Sequence, residues 1–134
     1  VQMPLSWTSP SHQLMRETLG NGGEGGRALA TETLRQTVAR KWVEDADVYY
    51  DLLTGSTTHL DIWETEYLQI LTGEDPVLEW VKSTGLRPIL NGLKDDERET
   101  FLITYRRRLR EVYPAKSDGC TLYPFRRLFI VACV

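Results

Sequence analysis

Thr58-His59-Leu60-Asp61-Ile62-Trp63-Glu64-Thr65-Glu66-Tyr67-Leu68-Gln69-Ile70-Leu71 alternates along its length and is rich in β-branched and aromatic residues, which predicts one long strand. Side chains on a strand alternate between its two faces. One face therefore carries Leu60, Ile62, Leu68 and Ile70, interrupted by Glu64 and Glu66. The other carries His59, Asp61, Trp63, Thr65, Tyr67 and Gln69, a mixed aromatic and polar set suited to solvent or to a wet pocket. Leu122 to Val134, with its nearly continuous apolar end, reads as a second long strand. Helical segments fill the interval. Asp75-Pro76 opens one carrying Val77, Leu78, Trp80 and Val81, with Asp75 expected as its cap, Lys82 in its last turn and Gly85 as its stop. Leu86 to Leu93 is a further short turn of helix. Asp95 or Asp96 opens a longer one, whose Leu102, Tyr105, Leu109 and Val112 repeat at helical spacing up to Pro114. Two long strands joined through helices predict an antiparallel hairpin flanked by helices, an α+β chain.

Working toward the N-terminus, Gly55 stops a helical pattern made by Leu34, Val38, Trp42 and Val43 and continued by Ala46, Tyr49, Tyr50 and Leu53, with a break near Glu44-Asp45. Ser9-Pro10-Ser11 starts a short helix bearing Leu14, Met15 and Leu19. Between these two lies Gly20 to Gly26, where five of seven residues are glycine and no apolar anchor is present, so a mobile loop is expected. Val1 to Met3 is a short strand that Pro4 should stop. The chain divides into a helical, cap-like segment at 1–57 and a terminal strand–helices–strand unit at 58–134.

The 134 residues fit a single domain, and 41% hydrophobic with 26% charged is ordinary for a globular chain. Sixteen basic against nineteen acidic residues give a net charge of −3, which disfavours nucleic acid as a partner. No apolar run reaches the ~20 residues that cross a bilayer, so no membrane partner is expected. Cys120 and Cys133 make no disulfide framework and read as reduced thiols. Val1-Gln2-Met3-Pro4 has the character of a strand end and not of a secretory leader. The expectation is a cytoplasmic protein whose N-terminal part lies elsewhere or has been lost.

Gly20, Gly22 and Gly25 satisfy G-x-G-x-x-G, but they follow a helix and open no strand–loop–helix unit, so they read as a loop and not a cofactor site. His12 and His59 are far apart, and neither Cys-x-x-Cys nor His-x-x-x-His occurs, so no metal is expected. Arg106-Arg107-Arg108 with Arg110 reads as a solvated helix face paired with nearby glutamates. The most suggestive cluster is Trp63, Thr65 and Tyr67 on one strand face with Trp80 on the next helix; Arg87 and Arg127 could supply cations to it.

These residues also carry a family resemblance. Val1-Gln2-Met3-Pro4, Pro10-Ser11-His12, Leu14-Met15-Arg16-Glu17, Tyr49-Tyr50-Asp51-Leu52-Leu53 and Asp61-Ile62-Trp63-x-Thr65 resemble the trans-aconitate 2-methyltransferase family. So do Trp80-Val81-x-x-Thr84-Gly85-Leu86-Arg87-Pro88 and the closing Arg127-Leu128-Phe129-Ile130-Val131-Ala132. The resemblance is to the C-terminal half of that family. It implies part of a Rossmann-like class I methyltransferase fold, S-adenosylmethionine as cofactor and a small tricarboxylic acid as substrate. The family's Asp-x-Gly-x-Gly cofactor loop and its acidic ribose-binding residue have no counterpart in this sequence. No catalytic residue is therefore assigned. On the resemblance, Arg87 and Arg127 become carboxylate clamps and Trp63, Tyr67 and Trp80 the walls of the cavity, in a chain that works with a missing N-terminal half. The competing expectation is a non-catalytic binding or interaction domain that forms a homodimer through the strand hairpin.

Overall fold

The computed structural model describes residues 1–134. It is a mixed helical and sheet structure with elements in the order β1 (Gln2–Pro4), α1 (Pro10–Asn21), α2 (Glu32–Ala39), α3 (Ala46–Leu53), β2 (His59–Leu71), α4 (Pro76–Lys82), α5 (Arg87–Gly92), α6 (Asp95–Val112) and β3 (Thr121–Cys133). The three strands form one sheet in the order β1-β3-β2. β1 is antiparallel to β3, with Gln2 opposite Phe129 and Pro4 opposite Arg127. β2 also runs antiparallel to β3, because Thr58 bonds Cys133 at one end while Glu64 meets Arg126 further in. The expected hairpin is thus present, its two strands joined through α4, α5 and α6.

Two compact units emerge, interleaved along the chain. One holds residues 10–40 and 70–123, the other 1–9, 41–69 and 124–134. Each therefore draws residues from both sides of position 57.

The helical unit has a well-developed core. On α6, Phe101, Tyr105 and Leu109 recur every fourth residue and are all buried, one apolar stripe along the helix. α1 and α4 pack on this helix and α2 packs on α1 and α5, so that Met15, Leu19, Val77, Leu78, Val81, Leu86 and Ile89 close over the stripe. Buried Thr18 is satisfied by Arg108, whose Nη1 donates to Oγ1 at 3.1 Å. The glycine-rich stretch is built into this unit and is not a free loop. Gly20 belongs to α1, Glu24–Gly26 is a 3-10 turn, and Gly22 N–H bonds Thr18 O at 2.7 Å. A Cβ on Gly22 would lie 2.5 Å from that oxygen, so the glycine is required by close packing.

The sheet unit contrasts sharply. Of the fifteen buried apolar side chains only Leu128 and Ile130 lie in it, whereas eleven of the fourteen exposed large ones do. On the central strand β3, Leu128 and Ile130 are buried while Phe125, Arg127 and Phe129 are half-buried.

Several expectations need correction. The helix expected through Trp42 and Val43 ends at Ala39, because residues 40–45 leave helical geometry before α3 begins. Pro4 is inside β1 and not beyond it, which an edge strand tolerates since the missing N–H can face away from the ladder. On β2 the apolar face does not persist. Leu60 and Ile62 are half-buried, but Leu68 is 57% and Ile70 66% exposed. On α6 the buried stripe starts at Phe101, while Leu102 is half-buried and Val112 exposed.

Asp75 does not cap α4. It sits at φ 49°, ψ 53°, a left-handed conformation, and its side chain accepts no bond from the helix. Its carboxylate instead takes Arg110 bidentately at 2.6 and 2.8 Å and lies 3.2 Å from Arg106 Nε. The arginine run is thus paired chiefly with Asp75 and bonded to Thr18 through Arg108, a refinement of the expected glutamate pairing. Asp75→Ala should destabilise the chain by about 1–2 kcal/mol, since it leaves like charges four apart on α6 without their anion. Asp75→Gly should cost about 1 kcal/mol less than Asp75→Ala, because glycine holds the left-handed angle without strain. Urea unfolding of both variants checks this; equal losses would contradict the strain.

Candidate functional site

On β3, the period of two places Phe125, Arg127 and Phe129 on one face of the sheet. Trp63 of β2 joins them, its ring stacked on Phe129 at 5.3 Å with planes 6° apart. The Arg127 guanidinium carbon lies 5.2 Å over the Phe125 ring, and its Nη1 reaches Gln2 Oε1 at 3.5 Å. Tyr67 follows four residues after Trp63, on the same side by the strand's period, and is 41% exposed. This face offers a guanidinium resting on an aromatic plane beside a half-exposed indole. Such an arginine keeps in-plane N–H groups for a carboxylate while the ring supports its face. On the opposite face Arg126 is occupied by Glu64 at 2.6 Å.

The structure therefore brings Trp63 and Arg127 onto one face of the sheet unit. Trp80 and Arg87 lie in the helical unit. Trp80 packs on Tyr123 at 5.9 Å with ring planes tilted by 52°. Arg87 is exposed on the first turn of α5 and makes no hydrogen bond or ion pair. Two concave regions on the helical unit contain none of these five residues. The larger, about 470 Å³, is an open groove along α6 lined by Ile103, Arg106, Arg107, Arg110 and Glu111. The second, about 380 Å³, lies between the Gly73–Leu78 turn and Tyr113.

The sequence reading missed a buried hydroxyl cluster around Ser11, in the first turn of α1. Tyr105 O–H donates to Ser11 O at 2.7 Å, Ser11 N–H donates to Tyr113 Oη at 3.1 Å, and Tyr123 Oη lies 2.9 Å from Ser11 Oγ. Ser11 Oγ is also 3.1 Å from His12 Nδ1. Burial raises the Tyr105 and Tyr113 hydroxyls above the usual phenol range, with the Ser11 bonds opposing the rise at Tyr113. Burial, aided by Arg16, depresses the His12 imidazole to about 4, so it is neutral at physiological pH. Three tyrosines at 105, 113 and 123 look like core by pattern; only the fold shows their hydroxyls converging on one serine.

No group of three or more His, Cys, Asp or Glu side chains gathers to hold a metal ion. The glycine-rich stretch does not fit a nucleotide cofactor. It follows α1 and not a strand, it opens no long helix, and Gly22 and Gly23 pack against Thr18 O and Arg27 O.

Relatives with established names align across this layout. A trans-aconitate 2-methyltransferase of Pseudomonas aeruginosa is 45% identical over 133 residues, 98% of this chain and 48% of the relative. One from Streptomyces avermitilis is 48% identical over 131 residues, 98% of this chain and 46% of the relative. One from Rhodococcus jostii is 40% identical over 134 residues, 100% of this chain and 51% of the relative. The chain is homologous to trans-aconitate 2-methyltransferases. It spans about half the length of the curated relatives it matches, and that half is C-terminal. No family model matches it. No helix of the chain is long and apolar enough to cross a membrane.

Proposed function

We propose that the chain is the substrate-side half of a carboxyl methyltransferase and acts with a cofactor-binding half to esterify one carboxylate of a small polycarboxylic acid. The observation that carries this reading is 45% identity to a trans-aconitate 2-methyltransferase across 98% of the chain. In this reading the fold completes a Rossmann-like class I methyltransferase, and S-adenosylmethionine belongs to the other half. A carboxylate nucleophile is already ionised at neutral pH and needs no strong base. What this half contributes is orientation, exclusion of water and cations for the carboxylates that do not react. Arg127, on its aromatic support, and Arg87, on the first turn of α5, are the clamps; Trp63, Tyr67 and Trp80 shape the surroundings. The helices between Ser9 and Leu53 act as the cap over the substrate.

Calorimetric titration with trans-aconitate tests the substrate role. Binding to the chain, weakened about tenfold in Arg127→Ala, is the expected result, since a charge-assisted bidentate pair contributes about 1.5–3 kcal/mol. Equal affinity in the variant removes Arg127 from the site. S-adenosylhomocysteine should give no heat with this half alone.

The second reading, a homodimeric interaction domain, is favoured by one observation. β2 is an edge strand of thirteen residues that exposes Leu68 and Ile70. Unmanaged edges pair. The chain alone should therefore sediment as a dimer, and Leu68→Lys should shift it to monomer; a monodisperse wild-type monomer would count against the edge as an interface.

A further inference from the structure

The cleft between the Gly73–Leu78 turn and Tyr113 is built wholly from the helical unit and has no part in the substrate-side reading. Its walls are apolar: Val77 and Leu78 of α4, Leu109 of α6, and Pro114 and Ala115 just beyond α6. Small-molecule sites are mostly apolar with a few placed polar groups, and the cleft, at about 380 Å³, has the size of one. Thr121, the first residue of β3, supplies such a group. It lines the cleft, is only 3% exposed, and its Oγ1 finds no hydrogen-bond partner in the chain. The hydroxyl is nonetheless reachable, because the one side-chain N or O atom sealed in without a hydrogen bond is Arg106 Nε. An unpaired hydroxyl among apolar walls is costly, so an oxygen that accepts from it is favoured there.

Charge at the rim is balanced. Arg110 holds Asp75 at 2.6 and 2.8 Å, Glu74 lies 3.8 Å from Arg110, and Arg106 Nε stands 3.2 Å from Asp75. Two carboxylates thus face two guanidiniums, a field that draws in neither an anion nor a cation. The Asp75–Arg110 pair also ties the turn before α4 to the last turn of α6, so the cleft is formed before anything enters it.

We propose that this cleft binds a small neutral molecule with an apolar body and one oxygen acceptor, a ketone or an alcohol, which takes a hydrogen bond from Thr121 Oγ1. The site goes beyond the substrate-side reading and does not depend on it.

Amide NMR of the nitrogen-labelled full chain, titrated with cyclohexanone, tests this. The amides of Val77, Leu78, Ala115 and Thr121 should shift together and saturate with one affinity. Cyclohexylammonium and cyclohexanecarboxylate, the same ring with a charged head, should bind at least about fivefold more weakly. Thr121→Val keeps the shape and removes the hydroxyl, and should weaken cyclohexanone about fivefold, the worth of one neutral hydrogen bond. Thr121→Ser, which keeps the hydroxyl, should retain most of the affinity. Methylenecyclohexane, the same shape without the oxygen, should bind wild type and Thr121→Val alike. Ala115→Leu, a change at an exposed wall residue, should fill the cleft and abolish binding. Circular dichroism of each variant reports folding, and Ala115→Leu keeps the test open if Thr121 variants unfold. Cyclohexanone that leaves the cleft amides unmoved overturns the proposal. So does equal affinity for the three heads, or unchanged binding in Thr121→Val or Ala115→Leu. Each of these results leaves the substrate-side reading standing.

Discussion

Phe101→Ala should remove about 3–5 kcal/mol of stability, among the largest losses of any single substitution in this chain. Phe101 is fully buried on α6, with its ring 5.3 Å from that of Tyr105 and tilted by 36°. Truncation loses the transfer free energy of the ring and leaves a cavity at the start of the buried stripe of α6. A domain of this size has roughly 5–15 kcal/mol in total, so the variant approaches the unfolding threshold. Tyr105→Phe is the comparison. It keeps the ring and removes only the bond to Ser11 O, at a cost of about 1–2 kcal/mol. Chemical denaturation of the two variants should separate them by about 1–4 kcal/mol. A loss below about 1 kcal/mol for Phe101→Ala would mean that the helical unit is not the stabilising core.

The second large effect is pH-dependent. The folded protein depresses His12 from 6.5 to about 4, so between those values the unfolded chain binds a proton that the folded chain refuses. Stability from this group is therefore fully present above about pH 6.5 and is lost as pH falls toward 4. The shift corresponds to about 3 kcal/mol at its full extent. Carboxylates titrate in the lower part of that window, so the quantity to measure is the difference between wild type and His12→Gln. Denaturation at about pH 7 and about pH 4.5 should show wild type losing about 2–3 kcal/mol more than the variant. Parallel losses would show that His12 is not held neutral by the fold.

Much of the fold was legible because local signals and packing agree. The alternation from Thr58 to Leu71 gives β2, Pro76 gives the start of α4, and the acidic opening at Asp95 gives the start of α6. Failures trace to tertiary terms. Trp42 and Val43 continue a helical period, yet the backbone leaves the helix after Ala39, where the next half-buried residues face a different set of neighbours. Asp75 has the composition of a cap but gives its carboxylate to Arg106 and Arg110, residues far along the chain that no local pattern connects to it. The glycines at 20–26 looked mobile because glycine permits freedom; Gly22 is there because Thr18 O leaves no room for a Cβ.

The candidate site was half legible. Strand period puts Trp63 with Tyr67 on one face of β2, and Arg127 with Phe125 and Phe129 on one face of β3, relations that the sequence makes readable. Phe129, which stacks on Trp63, and Gln2, which reaches Arg127, depend on registers that sequence alone does not set. The Ser11 cluster was invisible for a further reason. Tyrosine in a buried stripe reads as a hydrophobe until the destination of its hydroxyl is known.

The most direct test of the substrate-side account is complementation. This chain would be mixed with the separately expressed half of the Pseudomonas aeruginosa relative that it does not match, and methyl-ester formation followed from S-adenosylmethionine and trans-aconitate. The account predicts that neither half acts alone, that the mixture forms the ester, and that Arg127→Ala raises KM for the acid. A stable complex that binds both ligands yet forms no ester, or a mixture whose activity ignores Arg127, would contradict it.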